Sequence, residues 1–161
     1  TATPSFRGRR IEAGLLSAGQ DFNNETNPFS VGLGRFVDLN KKDFIGKESL
    51  TSCDKSCKTW GLRVMGGVAL KGNTILLNGE RIGKVTSSTW SPFQVCGVAI
   101  VHMDNAEFGP GTIVDVRCDD GTLQKGEICT LPMYDKKGEI QRGLKEDIPS
   151  SPIPWKGISK N

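Results

Sequence analysis

The stretch ILLNGERIGKV, residues 75–85, is the strongest structural signal in the chain. Its centre, Asn78-Gly79, separates two apolar runs, and both residues tolerate the positive φ of a two-residue type I′ turn. The stretch therefore predicts a β-hairpin. Asp120-Gly121 separates two further β-like runs in the same way, and we predict a second hairpin of this type there.

The surrounding sequence supports an antiparallel sheet. Val114, Val116 and Cys118 alternate with Asp115 and Arg117, which is the period of two that places apolar side chains on one face of a strand. Similar short runs separated by sharp turns continue through most of the second half of the chain. About six short strands at this spacing are typical of a small barrel or sandwich.

The first third of the chain has a different pattern. Thr3-Pro4 is a good helix start, and an apolar face continues from it to Leu16. Residues 20–30 are rich in Asn, Asp and Pro and predict a loop. We further predict a short strand at 34–39 and a second helix from Asp43, as its cap, through Leu50. The polar run 51–59 then predicts a domain boundary.

Bulk composition excludes several classes of protein. The 161 residues are 36% hydrophobic and 24% charged, which is ordinary for a globular protein and too apolar for disorder. The net charge is +3, and the basic residues are interspersed with 18 acidic ones, so the composition does not indicate a nucleic-acid-binding surface. No apolar run approaches the ~20 residues of a membrane helix. We expect a cytoplasmic protein, or a mitochondrial matrix protein in a eukaryote, with no nucleic-acid or membrane partner.

Cysteine and histidine usage excludes further chemistry. The five cysteines are irregularly spaced, which argues against a disulfide framework, and we predict buried, inert positions for Cys96, Cys118 and Cys129. His102 is the only histidine and lies in an apolar run, so a packed strand residue is the preferred interpretation. Asp21 begins a calcium-like run, but Thr26 stands where an EF-hand needs glycine. We predict no metal site.

Six short motifs resemble the C-terminal part of the glycine-cleavage T-protein family, and together they cover roughly residues 9–134. They are Arg10-Ile11-Glu12-Ala13-Gly14, Asn27-Pro28-Phe29, Gly32-Leu33-Gly34, Asp43-Phe44-Ile45-Gly46-Lys47-Glu48, Gly83-Lys84-Val85-Thr86-Ser87 and Ser91-Pro92.

The resemblance implies a fold and a domain division. It implies an α+β chain, in which a short helix/strand lead-in segment is followed by a mainly antiparallel β-barrel of about six strands. Residues 1–52 would be the end of the folate-binding domain, 58–135 the C-terminal barrel, and 136–161 an extended tail. Since family members are about twice this length or more, we expect the chain to be one portion of a longer protein.

The resemblance also implies an activity. T-proteins transfer a methyl or aminomethyl group from a small substrate to tetrahydrofolate, and the run from Leu15 to Phe29 is similar to the dimethylsulfoniopropionate demethylase branch. The acidic residue that meets the pterin lies in the family's N-terminal domains. We therefore assign no catalytic residue here, and we expect the chain alone to be inactive and to require those domains or self-association.

Three residues are candidates for contact with tetrahydrofolate. The family's motif arginine corresponds to Arg10, whose guanidinium suits the carboxylates of folate. The alternative for Arg10 is an ion pair on the helix surface, either with neighbours of Glu12 or with the following loop. Trp90 and Tyr134 could stack on the pterin ring. Glu12 is interpreted as structural, through hydrogen bonds to loop amides, and Asn27-Pro28-Phe29 is expected to form a turn that inserts Phe29 into the core.

Two other functions stay open on sequence. The chain could be a stand-alone, non-catalytic β-barrel interaction module. It could also be the C-terminal region of a flavin-dependent methylglycine dehydrogenase or oxidase, because such enzymes carry a similar C-terminal region.

Overall fold

The protein is described by a computed structural model over residues 4–140, 142–146 and 150–158. Two α-helices precede six strands. They are α1 Pro4–Glu12, α2 Lys47–Ser52, β1 Thr59–Val64, β2 Thr74–Leu77, β3 Glu80–Ser91, β4 Cys96–Met103, β5 Ile113–Arg117 and β6 Leu123–Cys129.

The six strands close into an antiparallel barrel with the order β1-β4-β3-β2-β5-β6. Closure pairs β6 with β1, and therefore no strand of the barrel is left with an unpaired edge. The interior is filled by alternate residues from all six strands, among them Leu62, Ile75, Val101, Val116 and Ile128. The predicted barrel of about six strands is confirmed.

The first predicted hairpin is confirmed and the second differs. Asn78 and Gly79 have φ of 53° and 86°, as a type I′ turn requires. At the second turn, Gly121 alone is left-handed, and its N–H bonds to the carbonyl of Cys118. The loop of this turn is residues 119–121, one residue longer than the predicted two-residue loop. A type I′ turn needs positive φ at both central residues, but Asp120 keeps a negative φ and only Gly121 adopts a positive one.

The lead-in segment is less regular than its pattern predicts. Helix α1 ends at Glu12 because Gly14, at φ 70°, turns the backbone into the left-handed region before Leu16. Thr3 lies outside the described residues. The predicted strand at 34–39 is wrong: Gly34–Phe36 is a single 3₁₀ turn. Helix α2 begins after Gly46, so Asp43 is not its cap.

A second apolar cluster attaches the lead-in segment to the outside of the barrel. Ile11 of α1 is fully buried against Val98 and Ile100 of β4, with Leu16 packed beside them. Because alternate β4 residues fill the barrel interior, this strand is buried on both faces. Burying a side chain of this size contributes about 1.5–3 kcal/mol, so Ile11 alone favours the docked helix substantially.

The tail returns to the same cluster. The backbone N–H of Trp155 bonds to the carbonyl of Gln94 at 2.7 Å, and Ile153 bonds to Phe93 at 2.8 Å. These bonds place the Trp155 ring on the second apolar cluster. Over the described ranges, neither helix has the length or apolarity needed to cross a membrane.

Candidate functional site

An ion pair between Arg10 and Asp21 lies at the junction of the lead-in segment and the barrel. Arg10 Nη1 is 2.7 Å from Asp21 Oδ2, and the Asp21 side chain has no solvent exposure. The same nitrogen donates to the carbonyl of Leu15 at 2.7 Å, and the backbone N–H of Ser17 donates to Asp21 Oδ2 at 2.9 Å. The arginine of α1 therefore closes the turn that follows its own helix.

The other oxygen of Asp21 contacts the barrel. The hydroxyls of Thr86 and Ser87 donate to Asp21 Oδ1 at 2.6 and 2.7 Å. A shift in register at this point of β3 interrupts the regular pairing with β4. Such bulges re-aim side chains, and here two consecutive hydroxyls reach one carboxylate.

The ionised form of Asp21 is favoured despite its burial. Burial alone would raise the pKa of Asp21, but donors on Ser87, Thr86, Ser17 and Arg10 outweigh it and hold that pKa below its usual value. A buried carboxylate stays charged where its oxygens are fully hydrogen-bonded and a cation lies beside it. Asp21 is therefore a structural anion.

Glu12 forms a second buried contact between α1 and β3. It is 3% exposed, and the hydroxyl of Ser91 donates to its Oε1. The expected bonds from loop amides to Glu12 are not what the structure shows, because α1 lies on the barrel strand and Ser91 faces it. The first motif, Arg10-x-Glu12, thus places one polar contact on each side of Ile11: the Arg10–Asp21 ion pair and the Glu12–Ser91 hydrogen bond.

A cleft of about 460 Å³ opens beside Asp21, between the 19–30 loop and strands β3 and β4. Its wall is mostly polar. The loop contributes amides and hydroxyls, and the barrel contributes basic groups. Residues that line it include Gln20, Glu25, Asn27, Lys58, Lys84 and His102.

His102 faces this cleft from β4. Its Nδ1 is 3.0 Å from the hydroxyl of Thr59 on β1. Burial, together with the charges of Lys84 and Lys58, lowers the pKa of His102 below its usual value. The residue is a packed strand histidine, and the imidazole is neutral at pH 7.

The structure does not bring Arg10, Trp90 and Tyr134 into one cleft among the described residues. Trp90 is 40% exposed near the end of β3. Tyr134 packs on Phe93 with ring centroids 4.9 Å apart and lines a different cleft of about 210 Å³. Arg10 forms the ion pair with the following loop. Contact of these three residues with folate stays a prediction.

The other expectations for single residues have mixed outcomes. Asn27 does form a turn, since its side-chain oxygen accepts the Ser30 N–H at 2.9 Å. Phe29, however, packs on Gly34 and lies outside the two core clusters, because the loop stays on the surface. Burial raises the pKa of both Cys96 and Cys129 to about 11, as expected for inert thiols.

Sequence reasoning missed the role of Asp21. Its position at the start of a calcium-like run drew attention to metal binding, and the described residues contain no cluster of three or more potential metal ligands. The partners of Asp21 on β3 are 65 and 66 residues away along the chain. The available signal was the pair of adjacent hydroxyls, Thr86 and Ser87, on a strand.

Comparison with known proteins identifies the barrel. Residues 58–135 match the model of the glycine cleavage T-protein C-terminal barrel domain. The barrel therefore belongs to this T-protein family, and the similarity to curated relatives covers more of the chain than the barrel alone. An aminomethyltransferase of Thermotoga maritima is 36% identical over 136 residues, which are 83% of this chain and 36% of that protein.

Two further relatives agree with this assignment. A trimethylamine-oxide aldolase of Ruegeria pomeroyi is 38% identical over 76% of this chain and 16% of its own length. The crystal structure of the glycine cleavage aminomethyltransferase T from Bartonella henselae superposes with a TM-score of 0.67 at 29% identity, covering 79% of this chain and 37% of that one. The chain thus spans little more than a third of the aminomethyltransferases that it matches. The demethylase branch stays a prediction.

Proposed function

We propose that this chain forms the C-terminal part of a tetrahydrofolate-dependent transferase that moves a methyl or aminomethyl group. The observation that carries the proposal is the similarity to an aminomethyltransferase over 83% of this chain, together with the match of the barrel to the T-protein family. Tetrahydrofolate supplies the nitrogen that accepts the one-carbon unit. The partners are that folate, a small methylated or aminomethyl-carrying substrate, and the preceding domains.

The smaller cleft of this chain has room for part of such a cofactor. The Phe93–Tyr134 pair offers an aromatic surface beside a cleft of about 210 Å³, below the ~300–1,000 Å³ of a complete ligand site. Arg10 donates from Nη1 to Asp21, so that nitrogen is not available to a folate carboxylate. We infer that this chain orients one wall of the folate site and that the preceding domains supply the rest, including the catalytic acid.

Exposed apolar side chains on the lead-in segment support the need for those domains. Phe36 is 72% exposed, Ile45 is fully exposed and Leu33 is 36% exposed, all within residues 33–45 of the lead-in segment. Large apolar groups gathered on one segment mark a surface that packs against other protein. In the proposed enzyme this surface contacts the preceding domains.

A chimera tests the proposal. This chain replaces the matching C-terminal part of the Thermotoga maritima aminomethyltransferase, and the truncated enzyme serves as the control. We expect tetrahydrofolate-dependent aminomethyl transfer from the chimera, none from the truncated enzyme, and no turnover by this chain alone. A folded chimera without transfer activity contradicts the proposal, whereas micromolar binding of tetrahydrofolate to the isolated chain by calorimetry would contradict only the inference that the preceding domains supply most of the folate site.

A second candidate is a longer enzyme that acts on methylated amines. The identity with the trimethylamine-oxide aldolase favours it, and that protein is much longer than the aminomethyltransferases because this chain matches only 16% of it. The intact mass of the native gene product separates the candidates. A mass near 17.4 kDa would instead favour the stand-alone interaction module.

A further inference from the structure

The cleft of about 460 Å³ contains basic groups that the Asp21 network does not use. Lys84 and His102 are directly opposite each other in the β3–β4 pairing, and His102 is also opposite Thr59, the residue after Lys58. Opposed residues of an antiparallel pair have Cβ atoms about 4.5–5.5 Å apart on one face. The barrel therefore presents two ammonium groups and an imidazole to the same cleft.

The charges around the cleft leave Lys84 uncompensated. Lys58 Nζ lies 3.1 Å from Asp54 Oδ2, and the charge of Asp21 is matched by Arg10. Lys84 has no ion-pair partner within the part of the chain that the structure describes. Among the lining residues so described, Glu25 is the remaining carboxylate, and it belongs to the exposed loop.

Two more donors are available at the cleft. In the neutral tautomer whose Nδ1 accepts a hydrogen bond from the Thr59 hydroxyl, Nε2 of His102 carries the ring N–H and has no protein partner among the described residues. Gln20 accepts a hydrogen bond from Lys71 Nζ through its Oε1 at 3.2 Å, so its amide NH₂ group is available to donate. An ammonium, an amide and an imidazole N–H together suit the oxygens of a carboxylate.

We propose that this cleft binds a small carboxylate between Lys84, His102 and Gln20. A carboxylate group fits better than a phosphate dianion, because Glu25 lines the same cleft and most strongly repels a group that concentrates two negative charges at one point. The carboxylate can come from a free dicarboxylate or from the γ-glutamyl chain of a folate. The second source rests on the proposed function, and the first does not.

The single histidine gives a direct test. The Cε1–H NMR signal of His102 is followed while the chain is titrated with glutarate, γ-glutamylglutamate or inorganic phosphate. We expect saturable shifts with both carboxylates at lower concentrations than with phosphate. Lys84→Gln should weaken glutarate binding about tenfold or more, since a hydrogen bond to a charged group is lost. Lys125→Gln, which alters a lysine paired with Asp115, should leave binding unchanged.

The outcomes separate the alternatives. The proposal is overturned if glutarate gives no saturable shift, if Lys84→Gln leaves the glutarate titration unchanged, or if phosphate binds more tightly. Binding of glutarate without γ-glutamylglutamate keeps the carboxylate site and removes folate as its source. The chimera reports on one-carbon transfer independently, so failure of the proposed function is distinguishable from failure of this site.

Discussion

A carboxylate with no solvent exposure keeps its charge only where enough donors surround it, and Asp21 has four. Two of these donors belong to the lead-in segment and two to β3. The carboxylate therefore joins parts of the chain that are distant in sequence. This charge also fixes the position of Arg10, whose side chain is only 12% exposed.

Replacing Asp21 by Asn should destabilise the protein by about 3–5 kcal/mol, because it leaves the Arg10 guanidinium buried without a counter-charge. Urea unfolding measures the change. Asp104→Asn is the matched control: its pair with Arg81 is exposed, and its loss should cost about 1 kcal/mol or less. Equal losses in the free energy of unfolding for the two variants would mean that the buried ion pair stabilises the protein no more than the exposed one.

Sequence offered an ion pair between Arg10 and the following loop as an alternative, but it could not identify Asp21 as the partner. Arg10 and Asp21 are 11 residues apart, and the chain between them leaves the helix after Glu12, so helical spacing does not relate them. The hydroxyls on β3 come within reach only once the barrel closes and a bulge re-aims them. Motif resemblance identified Arg10 as important but not the group that it contacts.

At the scale of elements, the barrel depends on close backbone approach at one strand. Gly97 of β4 pairs with Val64 on one side and Trp90 on the other. A Cβ added there would lie 1.9 Å from the carbonyl oxygen of Gly67. Backbone atoms cannot move aside as the end of a flexible side chain can, so this position requires glycine.

Gly97→Ala should therefore destabilise the barrel by at least about 1–3 kcal/mol, the range for overpacking a filled interior. Gly109→Ala is the control, because an added Cβ at Gly109 meets no atom within 4 Å. That control should be neutral or slightly stabilising, since alanine restricts the unfolded chain. Thermal unfolding of both variants makes the comparison. A Gly97→Ala protein as stable as the control would refute the steric argument.

Local patterns predicted the elements whose geometry is set locally. Asn78-Gly79 determines its own turn, and the hairpin follows from it. The alternation at 34–39 predicted a strand, yet that segment pairs with no strand among the described residues, since alternation does not say whether a partner exists. The local turn could therefore be predicted from its own residues. The docking of α1 could not, because its contact surface exists only once the barrel has closed.

At the scale of the whole molecule, the two apolar clusters share β4, and ionisable groups that are wholly or partly shielded from solvent link the stability of the fold to pH. His102 has a lowered pKa, so the unfolded chain binds its proton first as the pH falls below about 6.5. Asp21 also has a lowered pKa and is protonated first in the unfolded chain, below about 3.8. Both groups therefore contribute their full share to the free energy of unfolding at neutral pH, and these contributions are lost on acidification.

At alkaline pH, stability falls as the pH rises rather than as it drops. Burial raises the pKa of Cys96 and Cys129 from 9.0 to about 11, so the unfolded chain loses these protons first. Their contribution is complete below pH 9 and is lost as the pH rises toward 11. The free energy of unfolding should consequently be nearly constant between about pH 6.5 and 9, and it should fall on both sides of this range.

Urea unfolding across the pH range measures this profile, and two variants assign its limbs. His102→Gln should remove the decline just below pH 6.5, because no other side chain of this chain titrates there at its ordinary pKa. Cys129→Ala should make the alkaline decline shallower without abolishing it, because Cys96 still titrates, and it should lower stability at every pH through its cavity. Slopes rather than absolute values are compared for that reason. If the His102→Gln protein kept the full acid decline above pH 5, the neutral imidazole in the cleft would not be the group that links folding to protons.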